Sequence, residues 1–107
     1  MKFNLLELKN YIDKNFENAD LNVNSVAMEF NISLSYMSRK FKRRMQIGMA
    51  DYISLCRINK AKEYLKGTDL CIGEILYKVG FESANVFVRA FKRFEGLTPK
   101  RYRDINK

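Results

Sequence analysis

Histidine and tryptophan are absent from this sequence, proline occurs once, cysteine twice and glycine five times in 107 residues. The missing histidine removes the commonest general base and the commonest metal ligand together. Two cysteines cannot complete a zinc site and do not form a disulfide framework, so no metal or other cofactor is expected, and a reducing, cytoplasmic setting fits them best. One proline and few glycines disfavour a turn-rich β-sandwich. No apolar run approaches the roughly 20 residues of a membrane span, and no signal peptide is visible. There is no nucleophile–base pair and no glycine-rich phosphate loop, so an enzyme reading has no support.

Hydrophobic residues make up 47% of the chain and aromatics 13%, enough to pack the core of one domain. Lys and Arg number 20 against 12 Asp and Glu, a net charge of +8. That excess is uneven. Residues 1–38 carry three basic and five acidic side chains, residues 39–44 (Arg-Lys-Phe-Lys-Arg-Arg) five basic and none acidic, residues 45–88 balance, and residues 89–107 carry seven basic and two acidic. Two positive blocks separated by a neutral stretch, each interrupted by core-type aromatics, suit two contact points on a polyanion.

Apolar spacing predicts an all-α fold of about seven helices. Leu5, Leu8, Ile12 and Phe16 mark a first helix over about 4–16. Asn22 caps a second through Phe30, and Ser33 a third to about Met45 with Met37 and Phe41 inward. A longer, largely buried helix over about 49–66 carries Tyr52, Ile53, Leu55, Cys56, Ile58, Ala61 and Leu65, and Gly67 is expected to end it. Ile72, Ile75, Leu76 and Val79 mark a fifth helix. Ser83 caps a sixth with Phe87, Phe91 and Phe94 inward, and Thr98-Pro99 opens the last.

The chain also repeats itself. Arg39-Lys40-Phe41-Lys42-Arg43 matches Arg89-Ala90-Phe91-Lys92-Arg93 at four of five positions, Ser33 aligns with Ser83, and Met37 with Phe87. With a one-residue slip, Phe30-Asn31-Ile32 aligns with Val79-Gly80-Phe81. Asn and Gly are the residues that best tolerate a left-handed backbone. Each unit reads as short helix, left-handed turn, apolar anchor, serine cap and basic helix, which is a helix-turn-helix. We assign the first subdomain to about 4–47, the linker helix to 48–66 and the second subdomain to 68–107. Recognition helices must reach major-groove segments about 34 Å apart. A compact sphere of this length, with a radius of gyration of about 13 Å, barely spans that distance. Two lobes joined by the long helix, or a bent duplex, are therefore expected.

These residues carry a family resemblance over essentially the whole chain. Ser33 to Lys42 (SLSYMSRKFK) resembles the first recognition helix of the AraC/XylS family of bacterial transcription regulators, and Arg57 to Leu65 (RINKAKEYL) its linker helix. Ile72 to Arg103 (IGEILYKVGFESANVFVRAFKRFEGLTPKRYR) is similar to the family's most diagnostic segment. The wording around Tyr11-Ile12 and Thr68-Asp69-Leu70 looks most like members attached to two-component receiver domains. The resemblance implies duplex DNA as partner, with RNA polymerase as a second partner for an activator. It also implies a place at the C-terminus of a longer regulator, which would supply dimerisation, so the isolated domain is expected to be a monomer. Groove-facing positions carry over to Ser35, Ser38 and Arg39 on the first recognition helix, and to Ala84, Asn85, Val88 and Arg89 on the second.

The chemistry fits those roles. Arg39 and Arg89 can donate two bonds to guanine, Asn85 can pair with adenine, and Val88 can meet a thymine methyl. Ser33 and Ser83, with the helix N-termini they cap, suit phosphates, as does the Tyr36 hydroxyl. Lys42, Arg43, Lys92, Arg93, Lys100 and Arg101, with Thr98 at the start of the last helix, are backbone-contact candidates or simply solvated. Three positions depart from the pattern: Gln46 where the repeat has Gly96, Gly48 where it has Thr98, and Leu76 where the first unit has Ala27. Gln46 implies a different cap at the end of the first recognition helix. Leu76 requires repacking in the second unit.

Other features have plainer readings. Cys56 reads as a buried core thiol. Cys71 lies near a helix start, where thiolate character is favoured. The phenylalanines at 41, 87, 91 and 94 have the spacing of core residues rather than of a base-stacking platform. Arg57 reads as a structural ion pair rather than a DNA contact. A competing function for the basic faces is non-specific binding of polyanions, RNA or an anionic membrane surface.

Overall fold

The computed structural model describes residues 4–107, which form seven helices and, among the described residues, no strand. They are α1 (Leu5–Asn15), α2 (Val23–Phe30), α3 (Leu34–Met45), α4 (Met49–Gly67), α5 (Ile72–Lys78), α6 (Ala84–Glu95) and α7 (Pro99–Asn106). Local chemistry explains most of the boundaries. Asn4 accepts from the amides of Leu6 and Glu7. Asn22 and Ser25 form a reciprocal capping box, and Ser33, Ser83 and Thr98 each accept the amide three residues on.

The two helix-turn-helix turns have the same construction. Asn31 is left-handed at φ 54°, and the Ile32 amide donates to the Ala27 carbonyl at 3.2 Å. Gly80 has φ 109°, and the Phe81 amide donates to the Leu76 carbonyl at 2.9 Å. Leu76 is buried in the second unit as Ala27 is in the first.

Two expectations are corrected. Gln46 does not cap α3 differently. It is left-handed at φ 63°, as Gly96 is at φ 79°, and each donates its amide to the carbonyl four residues back, on Lys42 and Lys92. The side chain at 46 is tolerated because its Nε2 bonds the Arg43 carbonyl at 2.9 Å. Gly67, expected to follow a helix over about 49–66 and end it, lies one residue inside α4. It is the last helical residue, and the stop is Thr68, which is extended and donates its Oγ1 to the Tyr64 carbonyl at 2.7 Å.

Two cores run along the molecule, and α4 belongs to both. Met49 and Ile53 join Leu8, Ile12, Val26, Met37 and Phe41 in the first. Ile58, Ala61 and Leu65 join Ile75, Leu76, Val79, Phe81, Phe87, Phe91 and Tyr102 in the second. Tyr52, Leu55 and Cys56 are only half-buried, so α4 is less enclosed than its apolar count suggests. The body is elongated, 48 × 22 × 22 Å with a radius of gyration of 14.8 Å. That exceeds the compact value of about 13 Å for this length, as two lobes on a shared helix require.

Candidate nucleic-acid interface

Successive residues of an α-helix are rotated by about 100°, so a buried pair defines the opposite, outward face. In α6, Phe87 and Phe91 are fully buried and Arg89 lies opposite them. Asn85 and Lys92 flank Arg89 on one side, Val86 and Arg93 on the other, and all are exposed. In α3, Met37 and Phe41 are fully buried and Arg39 lies opposite. Ser35 and Lys42 flank it on one side, Tyr36 and Arg43 on the other, again all exposed. The two helices therefore present the same pattern in the same phase.

Ser38 and Val88 occupy matching half-buried positions at the edge of these faces, and Val88 packs against the second core. Val86, 51% exposed, is the open aliphatic side chain on α6. Sequence reasoning passed over it, although its place beside Arg89 was readable from helix phase. Ala84 is exposed at the start of α6. Lys40 and Arg44 add exposed cations on α3, and the Lys40 Nζ lies 5.7 Å from the Tyr36 ring centroid. A groove of about 620 Å³ beside α3 is lined by Ser38, Arg39, Lys42 and Arg43 together with Val23 and Met49.

The caps and cations near these faces are differently engaged. Ser33 and Ser83 Oγ accept amides at 3.1 and 3.4 Å, and Thr98 Oγ1 accepts the Arg101 amide at 3.2 Å. Each hydroxyl keeps a proton to donate elsewhere. Lys92, Lys100 and Arg101 are exposed. Arg93 makes a two-pronged contact with Asp51 at the start of α4, Nη1 to Oδ1 at 3.0 Å and Nη2 to Oδ2 at 2.8 Å. Those hydrogen bonds hold the Asp51 carboxyl below the usual carboxylate range, and Arg93 and Lys42 add charge attraction. One carboxylate thus feels the cations of both basic helices.

Several side chains have structural duties instead. Among the described residues, Arg57 hydrogen-bonds carbonyls and not a carboxylate, against the expected ion pair. Its guanidinium donates to the carbonyls of Phe16, Asn18 and Leu21 at 2.7, 3.1 and 3.0 Å. Arg103 does the matching work in the second unit, donating to the carbonyls of Leu65 and Thr68 near the end of α4, both at 3.1 Å. Cys56 is half-buried at the edge of the first core, with Sγ 3.8 Å from Asp13 Oδ1, and burial pushes its thiol up. Cys71 is an exposed N-cap of α5, in a capping box with Glu74. Its spacing to Glu74 was the available signal. Phe41, Phe87 and Phe91 are fully buried and Phe94 packs against the second core, so none forms an open stacking platform.

A helix-turn-helix family profile matches residues 26–105, most of the chain. The chain belongs to the AraC-type helix-turn-helix family. This AraC-type domain superposes on the C-terminal domain of AraT, a response regulator from Geobacillus stearothermophilus, with TM-score 0.90 and 36% identity, covering 94% of this chain and 84% of that one. It is 31% identical to the melibiose operon regulatory protein of Escherichia coli over 98% of this chain and 34% of that protein. It is 39% identical to the bifunctional transcriptional activator/DNA repair enzyme AdaA of Bacillus subtilis over 91% of this chain and 46% of that protein. The domain thus spans less than half the length of these two regulators. The DNA-binding domain of AdpA, solved with a target DNA, shares the fold at TM-score 0.87 and 21% identity. Among the described residues, no helix is long and apolar enough to cross a membrane.

Proposed function

We propose that this domain binds duplex DNA sequence-specifically, with α3 and α6 entering successive major-groove segments on one side of the duplex. One observation carries the reading: two basic helices expose an arginine at the same phase, on a body 48 Å long. That length accommodates groove segments about 34 Å apart within one chain. Arg39 and Arg89 read guanines, Asn85 an adenine, and Ser35, Ser38, Ala84 and Val88, with Val86 beside them, complete the base-facing set. Ser33, Tyr36, Lys42, Arg43, Ser83, Lys92, Arg93, Thr98, Lys100 and Arg101 serve the backbone. The reading units are about 4–47 and 68–107, joined by a linker at about 48–66 that α4 (Met49–Gly67) forms. An activator built on this domain also engages RNA polymerase, and the isolated domain acts as a monomer.

The test is selection of bound duplexes from a randomised pool at about physiological salt, followed by two variants. Arg89→Ala loses about 1–3 kcal/mol on the selected site and relaxes one base position. Lys92→Ala weakens every duplex alike. With 6–10 phosphates neutralised, log K falls against log salt with a slope of roughly −5 to −9. A pool that yields no motif, or a flat salt response, rejects the reading.

A further inference from the structure

Relative motion is the default for two lobes joined by a single segment, unless something else locks them. Here the second helix-turn-helix turn touches the first lobe directly. Gly80 lies against the α1–α2 connection so closely that an added Cβ would sit 2.5 Å from the Phe16 carbonyl oxygen and 3.2 Å from that of Glu17. The same Cβ would meet Arg57 Nε at 2.7 Å. Arg57 reaches from α4 to the Phe16, Asn18 and Leu21 carbonyls, and its guanidinium lies 5.8 Å from the Phe81 ring centroid. Phe81 in turn packs on Phe87, in the second turn of α6, with ring centroids 5.2 Å apart. The last turn of α6 is held separately, by Arg93 on Asp51 and by Glu95 on Lys62 of α4 at 3.1 Å.

From this arrangement we infer that Arg57 and Gly80 form a wedge between the lobes that sets the fixed spacing at which α3 and α6 read DNA. Arg57 is a positioning residue: its Nε and Nη2 are engaged on three carbonyls of the first lobe, so it acts through the geometry of the lobes rather than on a base. Glycine at 80 is required twice, by its positive φ and by the absence of room for a side chain. Asn31, its counterpart in the first unit, turns at φ 54°, which asparagine tolerates, whereas Gly80 turns at φ 109°. The inference rests on the two-helix DNA reading for its functional meaning, but the lock itself is measurable without DNA.

The first measurement is residual dipolar coupling by NMR on the free domain. One alignment tensor should fit amides of both lobes in the wild type, and two different tensors should be needed in Arg57→Gln. Two tensors in the wild type, or one in a folded Arg57→Gln, overturns the inference. Arg57→Lys, which keeps the charge and cannot span three carbonyls, replaces the glutamine variant if that one fails to fold. The second measurement is affinity for the selected site against the same site with one base pair inserted between its halves. One base pair shifts the distal half by about 3.4 Å and about 35° around the axis. The wild type should lose about a hundredfold, the lower end of the gain from linking two modules, and Arg57→Gln less than tenfold. The ratio cancels the uniform effect of removing one positive charge. Equal insertion penalties in both proteins reject the wedge and leave the DNA reading intact. A single tensor in a wild type that ignores spacing leaves the lock standing and rejects two-helix reading.

Discussion

Asp51 restrains the positive face, and Asp51→Asn should release it. The carboxylate holds Arg93 through two hydrogen bonds and attracts Lys42, so its removal frees cations on both reading helices. The two side chains are 38% and 59% exposed, so the fold should lose little from their separation. DNA binding should change more. If Arg93 serves its phosphate only once released from Asp51, the salt slope steepens by about 0.9, which between 1 M and 0.15 M salt amounts to about fivefold tighter binding. The gain should be equal on the selected site and on a scrambled duplex, because a phosphate carries no sequence information. The sign of the pH effect follows from the depressed carboxyl. The pair is complete above the ordinary aspartate pKa and is lost only as pH falls through the lower, folded value, below about 4. At neutral pH the restraint is fully charged. Fluorescence anisotropy on both duplexes from 50 to 300 mM salt reads the slope directly. An unchanged slope, or a gain confined to the selected site, would refute the reasoning.

Exchanging the two α-helix caps should act with opposite signs. Gly96→Gln places a side chain at φ 79°, with open space around it but an unfavourable backbone, and should lower stability by about 1 kcal/mol in urea melts. Gln46→Gly should be neutral to about 0.5 kcal/mol stabilising, because relief at φ 63° is partly offset by the lost bond to the Arg43 carbonyl. A destabilising Gln46→Gly together with a silent Gly96→Gln would contradict the shared cap. Asp13 gives the acid prediction. Burial pushes its carboxyl up, but hydrogen bonds from Tyr52 at 2.6 Å and Lys9 at 2.9 Å outweigh that and hold it below the usual range. Its contribution is present above the unfolded aspartate pKa of about 3.9 and lost as pH falls below it, so Asp13→Asn should narrow the gap in urea midpoint between pH 7 and pH 3. An unchanged gap would show that the Asp13–Tyr52 tie between α1 and α4 carries none of the acid sensitivity.

Much of this domain was legible before any coordinates. Helix positions, the two left-handed turns at Asn31 and Gly80 and the serine caps all depend on contacts within about four residues, and residue type alone reports on those. The inward phase of Met37 and Phe41, and of Phe87 and Phe91, follows from helical spacing, and with it the outward arginines. Errors arose where two local solutions compete. Gln46 could take a left-handed conformation, supported by its own side chain, and Thr68 ended α4 where glycine was the stronger signal.

Tertiary structure decided the partners of the long cationic side chains. Arg57 had no local signal for carbonyl acceptors 36 to 41 residues away, and an arginine in a charged helix looks the same whether it meets a carboxylate, a phosphate or a chain end. The same holds for Arg93 on Asp51, 42 residues apart, and for the closeness of Gly80 to the Phe16 carbonyl. Periodicity and capping determine which face of each helix is buried, because they are properties of one helix. The disposition of one reading helix against the other depends on where separate segments meet in space, and that only the folded chain settles.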